Sequence, residues 1–173
     1  MRVGTGYDSH RFDPERTLTL GGVNIPHHPG LAGHSDGDAV AHALIDALLG
    51  AVSAGNVGSH FPPSDERWKD ADSMKLLARA VHILEARSYQ VVNVDVTVVC
   101  ETPRIGPHVD AMRERLGAVL RTGPAGVSVK GKTNEGMGWI GRGEGLAVHA
   151  VALVDSMGGY DPTWGATDEG LPV

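Results

Sequence analysis

Residues 91–100 read VVNVDVTVVC. Val92, Val94, Val96 and Val98 alternate with Asn93, Asp95 and Thr97, the period of a half-buried strand built from β-branched side chains. Upstream, residues 73–87 have helical spacing behind Asp72 as a cap. Downstream, Pro107 to Leu120 reads as a helix with proline at its first position. Residues 127–130 (VSVK) and 146–155 (LAVHAVALVD) read as two further strands. A strand bracketed by helices decides the class: a mixed α/β chain, folded as an α+β two-layer sandwich. About four main strands form a mixed sheet with helices on one face.

Nearer the start, residues 2–7 read as a short strand, and Leu18–Ile25 reads as a short hairpin about the Gly21-Gly22 turn. Pro26 to Gly33 reads as loop. Residues 38–52 (DAVAHALIDALLGAV) read as a helix with Asp36 and Asp38 as capping candidates. Residues 54–71, with two prolines, read as a long surface loop of the kind that often carries function. The expected organisation is one domain over 1–157 and a loose tail over 158–173.

Composition narrows the function. The chain has 173 residues, 15 Lys+Arg against 21 Asp+Glu, and a net charge of -6, which disfavours a generic nucleic-acid or anionic-membrane surface. Hydrophobic residues at 41% indicate a globular chain. The one cysteine, Cys100, excludes an internal disulfide and a cysteine-based zinc cluster. No apolar run approaches the ~18 residues of a bilayer span and the N-terminus has no signal-peptide core, so a cytoplasmic protein is expected.

Two glycine motifs fail on context. Gly126 to Thr133 matches G-x-x-x-x-G-K-[ST], but its middle, Val127 to Lys130, is itself strand-like, and Asn-Glu-Gly-Met-Gly follows in place of a helix. Gly136 to Gly141 matches G-x-G-x-x-G and also lacks the following helix. What remains is a Gly-dense loop, 131–145, whose amides could form an anion-binding nest. Its Met137, Trp139 and Ile140 are expected to bury against another surface, such as a second subunit.

The metal-ligating candidates are Asp8, His10 and His42. Asp8 and His10 sit two apart at the end of a strand, hence on one face. His42 lies inside the first helix, with Asp46 one turn later as a candidate acceptor for its ring N–H. Two imidazoles and one carboxylate are a catalytic zinc set with a fourth position open. The spacing alone also allows a chance Asp-x-His pair and a merely buried, hydrogen-bonded His42.

Together, Asp8-x-His10, His34-Ser35-Asp36-Gly37-Asp38 with His42, Phe61-Pro62 and Gly141-Arg142-Gly143-Glu144-Gly145 strongly resemble the 2-C-methyl-D-erythritol 2,4-cyclodiphosphate synthase family over about residues 1–155. The resemblance implies an enzyme, a phosphorus–oxygen lyase. It would cyclise 4-diphosphocytidyl-2-C-methyl-D-erythritol 2-phosphate with release of CMP in isoprenoid precursor synthesis. It implies zinc at Asp8, His10 and His42, and magnesium or manganese at Glu135. It implies transition-state stabilisation by His34 and Thr133, and a substrate contact by Ser35. Asn56, Val57 and Gly58, then Phe61, Ser64 and Asp65, would hold the methylerythritol and ribose portions. Lys132, Thr133 and Asn134 would approach the phosphates. Cys100, Glu101, Thr102, Pro103, Arg104, Ile105 and Gly106 would form a cytidine pocket contributed largely by a neighbouring subunit of a homotrimer. Trp139 and Arg142 would line a central apolar cavity able to hold an isoprenoid diphosphate. The family usually has Asp where this chain has Asn56 and Pro63, and commonly Thr where it has Lys132. A non-catalytic trimer binding isoprenoid diphosphates is the alternative.

Overall fold

The computed structural model describes residues 1–158, so the tail expected over 158–173 lies outside the described residues except for Gly158. In chain order the elements are β1 (Arg2–Leu20), β2 (Val23–Leu31), α1 (Ala39–Ala51), α2 (Val57–His60), α3 (Ser73–Glu85), β3 (Tyr89–Val99), α4 (Val109–Leu120), β4 (Val127–Lys132), α5 (Gly138–Gly141) and β5 (Gly145–Ser156). The sheet order is β2-β1-β5-β3-β4. Among the described residues only β3 and β4 pair in parallel; β1–β2, β1–β5 and β3–β5 are antiparallel. Leu146, Val148, Ala150, Ala152 and Val154 of β5 and Val94, Val96 and Val98 of β3 are buried under the helices. No helix among the described residues is long and apolar enough to cross a membrane.

The expected class holds, with local differences. The strand expected over 2–7 runs on to Leu20, because Asp8 to Arg11 pair with Val148 to Gly145 despite their polar sequence. Pro26 to Leu31, expected as loop, belong to β2, and the hairpin is the sheet's edge. The register shifts on both sides of Thr17, opposite Pro29, and an edge with such irregularities is where a strand accepts proline. The 54–71 segment contains α2 and a 3-10 turn at Glu66–Trp68.

Local chemistry explains the joints. Leu18 pairs with Ile25 and Leu20 with Val23. Gly21 and Gly22 between them have φ of +57° and +73°, the two left-handed residues of a type I′ hairpin turn. Asp38 caps α1 by accepting from Val40 N (3.0 Å) and Ala41 N (3.1 Å). The same buried carboxylate accepts from Gly21 N (2.9 Å) and Gly22 N (2.7 Å), tying the hairpin turn to the helix. α1 is apolar nearly all round and packs against both the sheet and α3, as such a helix must. It approaches β1 so closely that a Cβ on Gly4 or Gly6 would lie 1.9 Å from Ala47 O or Ala43 O. The opposite sheet face carries Val3, Tyr7 and Val151, 63%, 52% and 43% exposed.

Candidate metal centre and substrate pocket

The alternation that turns Gly4 and Gly6 toward α1 turns Asp8 and His10 the same way. His42 stands in the first turn of α1, beside Ala43. The close strand–helix contact therefore brings together three residues from two segments, and one ligand atom from each lies within 4.8 Å of the others. His10 Nε2 is 2.8 Å and His42 Nδ1 3.1 Å from the same oxygen, Asp8 Oδ2. His10 Nδ1–H donates to Ala32 O (2.5 Å), an acceptor only, so Nε2 of the neutral ring carries the lone pair that faces Asp8.

The donor set fits a metal ion. Lone pairs converging on a carboxylate oxygen repel unless a cation sits among them, either protons on the rings or a metal. Two imidazole nitrogens and one carboxylate are a zinc-type set, not an all-oxygen cage. With protons in that place, burial works against the charge on Asp8, but hydrogen bonds from His10 and His42 outweigh it and hold the carboxyl down to about 2. Burial also opposes charge on His10, and the hydrogen bond to Asp8 reverses that, raising its pKa.

The three residues line a cavity of about 240 Å³. His34, Ser35, Val57, Gly58 and Phe61, all expected at the site, line it too. His34 Nε2 is buried with no hydrogen-bond partner, a state that native proteins seldom leave uncompensated and a ligand can relieve. The loop carrying His34 is gripped from its backbone. The Arg16 guanidinium donates to Gly33 O and Ser35 O, and Asp70 N donates to His34 O (2.9 Å). Asn56, Ser64 and Asp65 do not line this cavity. Asn56 caps α2, accepting from Ser59 N (2.9 Å), Ser64 is exposed, and Asp65 holds Arg67 (2.6 Å).

The other expected residues gather around the end of β4. Cys100 N donates to Lys132 O (2.9 Å). Glu101 Oε1 accepts from Asn134 N (3.0 Å) and Gly136 N (3.2 Å), so the 100–106 segment and the 131–136 turn meet. Glu135, at φ +52°, accepts from Thr133 Oγ1 (2.6 Å). A single exposed carboxylate suits magnesium, which commonly takes one or two protein carboxylates plus substrate phosphates. Cys100, Pro103 and Ile105 are buried, with Ile105 against Gly131, while Thr102, Arg104 and Gly106 are exposed. Trp139 is 37% exposed, and Arg142 pairs with Glu144 (2.6 Å). β4 lies three strands from β1, roughly 14 Å at the usual strand spacing, and none of Lys132, Thr133 or Glu135 lines the metal cavity of its own chain.

Several assignments shift. Asp46 does not accept from His42; its carboxylate takes Val57 N (2.7 Å) and starts α2. Burial pushes its pKa up. His42 Nε2 instead lies 3.0 Å from both Ser35 Oγ and Ser73 Oγ. Trp68, Leu76 and Pro63 also line the cavity, and nothing in their spacing distinguishes them from loop and core residues.

Comparison with known proteins follows the same lines. A family model described as the YgbB family matches residues 1–155. The chain is 56% identical over 154 residues to the 2-C-methyl-D-erythritol 2,4-cyclodiphosphate synthase of Symbiobacterium thermophilum, covering 89% of this chain and 98% of that protein. Among solved structures, it resembles the bifunctional IspDF of Campylobacter jejuni with a TM-score of 0.86 at 36% identity, covering 90% of this chain and 42% of that one. It also resembles a 2C-methyl-D-erythritol-2,4-cyclodiphosphate synthase solved in its CDP-bound form, with a TM-score of 0.82 at 36% identity over 89% of this chain and 100% of that one. The chain therefore spans nearly the whole of the single-function relative and about two-fifths of the bifunctional one.

Proposed function

The chain belongs to the YgbB family of 2-C-methyl-D-erythritol 2,4-cyclodiphosphate synthases, and from that premise we propose that it cyclises 4-diphosphocytidyl-2-C-methyl-D-erythritol 2-phosphate and releases CMP. Residues 1–157 form the domain that carries this reaction. In this reading the 2-phosphate of the substrate attacks the β-phosphate, the new P–O bond closes the ring, and the bond to CMP breaks. The nucleophile comes from the substrate, so no serine or cysteine nucleophile is required. Asp8, His10 and His42 would hold zinc and Glu135 magnesium or manganese, and the bound cations would supply positive charge to offset repulsion between the phosphates.

The residues of this chain do the positioning. Asp8, His10 and His42 define one end of the cavity, and the unpartnered His34 Nε2 faces a group the ligand brings. Phe61, Val57 and Leu76 exclude water beside them. Thr133, Lys132 and the 100–106 segment bind the nucleotide end from a neighbouring subunit, a reading supported by none of them lining the cavity of its own chain. The trimer is supported by the uncovered sheet face with Val3, Tyr7 and Val151. The single observation that carries the reading is the convergence of Asp8, His10 and His42 at the end of a cavity. The assay is CMP release from the cytidyl substrate: the purified protein turns over, and His42→Ala abolishes turnover. An Asp8→Ala variant with full activity, together with no bound divalent ion in the parent protein, refutes the metal role. Sedimentation as a monomer near 18.1 kDa at micromolar concentration refutes the trimer.

A further inference from the structure

We infer that Ser73 and Asp36, neither of which lines the cavity, act as positioning residues that select which nitrogen of His42 is offered to the metal. The inference rests on the metal site proposed above and extends it to two residues outside that site. The argument is one of proton counting along a chain of contacts. Asp36 accepts from Ser73 N through Oδ2 (3.1 Å) and lies 2.5 Å from Ser73 Oγ through Oδ1. An ionised carboxylate can only accept, so the single hydroxyl proton of Ser73 points at Asp36. Ser73 Oγ then has only lone pairs left for His42 Nε2, 3.0 Å away. The hydrogen bond between them requires the proton on Nε2. The Nδ1 lone pair is thereby left free, and Nδ1 is the nitrogen 3.1 Å from Asp8 Oδ2.

The neighbouring contacts agree. Ser35 Oγ, also 3.0 Å from Nε2, already accepts from Gly37 N (3.3 Å) and lies 3.3 Å from Ser73 Oγ; with the Ser73 proton on Asp36, the Ser35 proton is the one that bridges the two hydroxyls, and Ser35 Oγ can take a share of the Nε2 N–H. Ser73 is fully buried, so no bulk water competes for its hydroxyl. His10 is set the opposite way by Ala32 O, with Nδ1 protonated and Nε2 free. The two rings therefore present different nitrogens, and each is fixed by an acceptor on the side away from Asp8. Outer partners of this kind orient metal-bound imidazoles, and losing one costs roughly 10- to 100-fold in metal affinity or activity.

The test uses the full-length protein, zinc and 15N-histidine labelling. In the zinc-loaded parent, nitrogen–proton correlation spectra are expected to show His42 carrying a proton on Nε2 with Nδ1 bound, and His10 the reverse. Chelator competition is expected to show Ser73→Ala and Asp36→Asn losing at least tenfold in zinc affinity. Ser73→Thr, which keeps the hydroxyl, should recover affinity to within a fewfold of the parent. Melting curves on the metal-free variants separate this loss from unfolding. A proton on His42 Nδ1, or a folded Ser73→Ala protein with parental zinc affinity, overturns the inference and leaves the metal site standing. A parent protein that takes up no zinc removes both.

Discussion

Replacing Gly6 by alanine is expected to dismantle the proposed metal centre from a distance. Gly6 touches no ligand atom, but a Cβ there would lie 1.9 Å from Ala43 O and 2.9 Å from Ala47 N. Both atoms are helix backbone, which cannot rotate aside. Contacts under 3.0 Å are not sustained, so β1 and α1 must part by about 1 Å. Asp8 and His10 ride on β1 and His42 on α1, and metal–ligand distances tolerate only about 0.2 Å. The displacement is thus several times what coordination can absorb. Overpacking of a close backbone contact costs about 1–3 kcal/mol, or roughly 3–10 °C in Tm for a domain of this length. The assay is zinc affinity by chelator competition beside a melting curve. Gly6→Ala should lose more than about tenfold in affinity even where it remains folded. Gly50→Ala is the control: it lies on the same helix, where a Cβ would meet only Thr5 O at 3.9 Å, and it should hold affinity and stability. A Gly6→Ala protein with parental zinc affinity and melting temperature would refute the claim that strand–helix proximity builds the site.

Asp38→Ala should destabilise the fold by about 3 kcal/mol, because four backbone N–H groups lose the one carboxyl acceptor they share; a urea midpoint unchanged from the parent contradicts this. Metal-free protein should be most stable between about pH 4 and 6.5. Asp8, held at about 2 against an ordinary 3.8, contributes about 2 kcal/mol that is present above pH 4 and lost as pH falls through 2. His10, raised above 6.5, contributes stability that is complete below that value and lost as pH rises through its raised pKa. Urea unfolding with chelator across this range should fall off on both sides, and zinc should remove the alkaline loss; a chelated protein that gains stability steadily from pH 6 to 8 contradicts the pairing. Glu101→Ala frees the turn that presents Thr133 and Glu135, and should raise KM for the cytidyl substrate by about tenfold while leaving the core intact by melting; an unchanged KM means that the turn holds itself.

Elements with a clear period are legible in the sequence. The alternation of 91–100 gave β3, the Ala/Leu run after Asp38 gave α1, and the Gly21-Gly22 pair gave the hairpin turn, because each pattern is set by contacts within a few residues. β1 was legible only to Tyr7, since its polar second half is held by pairing with β5 and β2 and carries no apolar period. Asp46 departs from its sequence pattern for the same reason. Its place one turn after His42 was correct, but its acceptor role went to Val57, eleven residues on. The pairing of Ser73 with Asp36 across 37 positions left no trace in either segment.

The sequence by itself determined the ligand types, their order and the family, since an Asp-x-His on a strand and a histidine in an apolar helix keep their chemistry wherever the chain goes. Only the tertiary structure decided that these groups meet on one carboxylate oxygen, and which ring nitrogen each histidine offers there. Convergence requires β1 and α1 to touch backbone to backbone at Gly4 and Gly6, and the choice of nitrogen requires a carbonyl and a hydroxyl that arrive from other segments. Both are distances between parts of the chain remote in sequence, fixed by how the helix packs against the sheet.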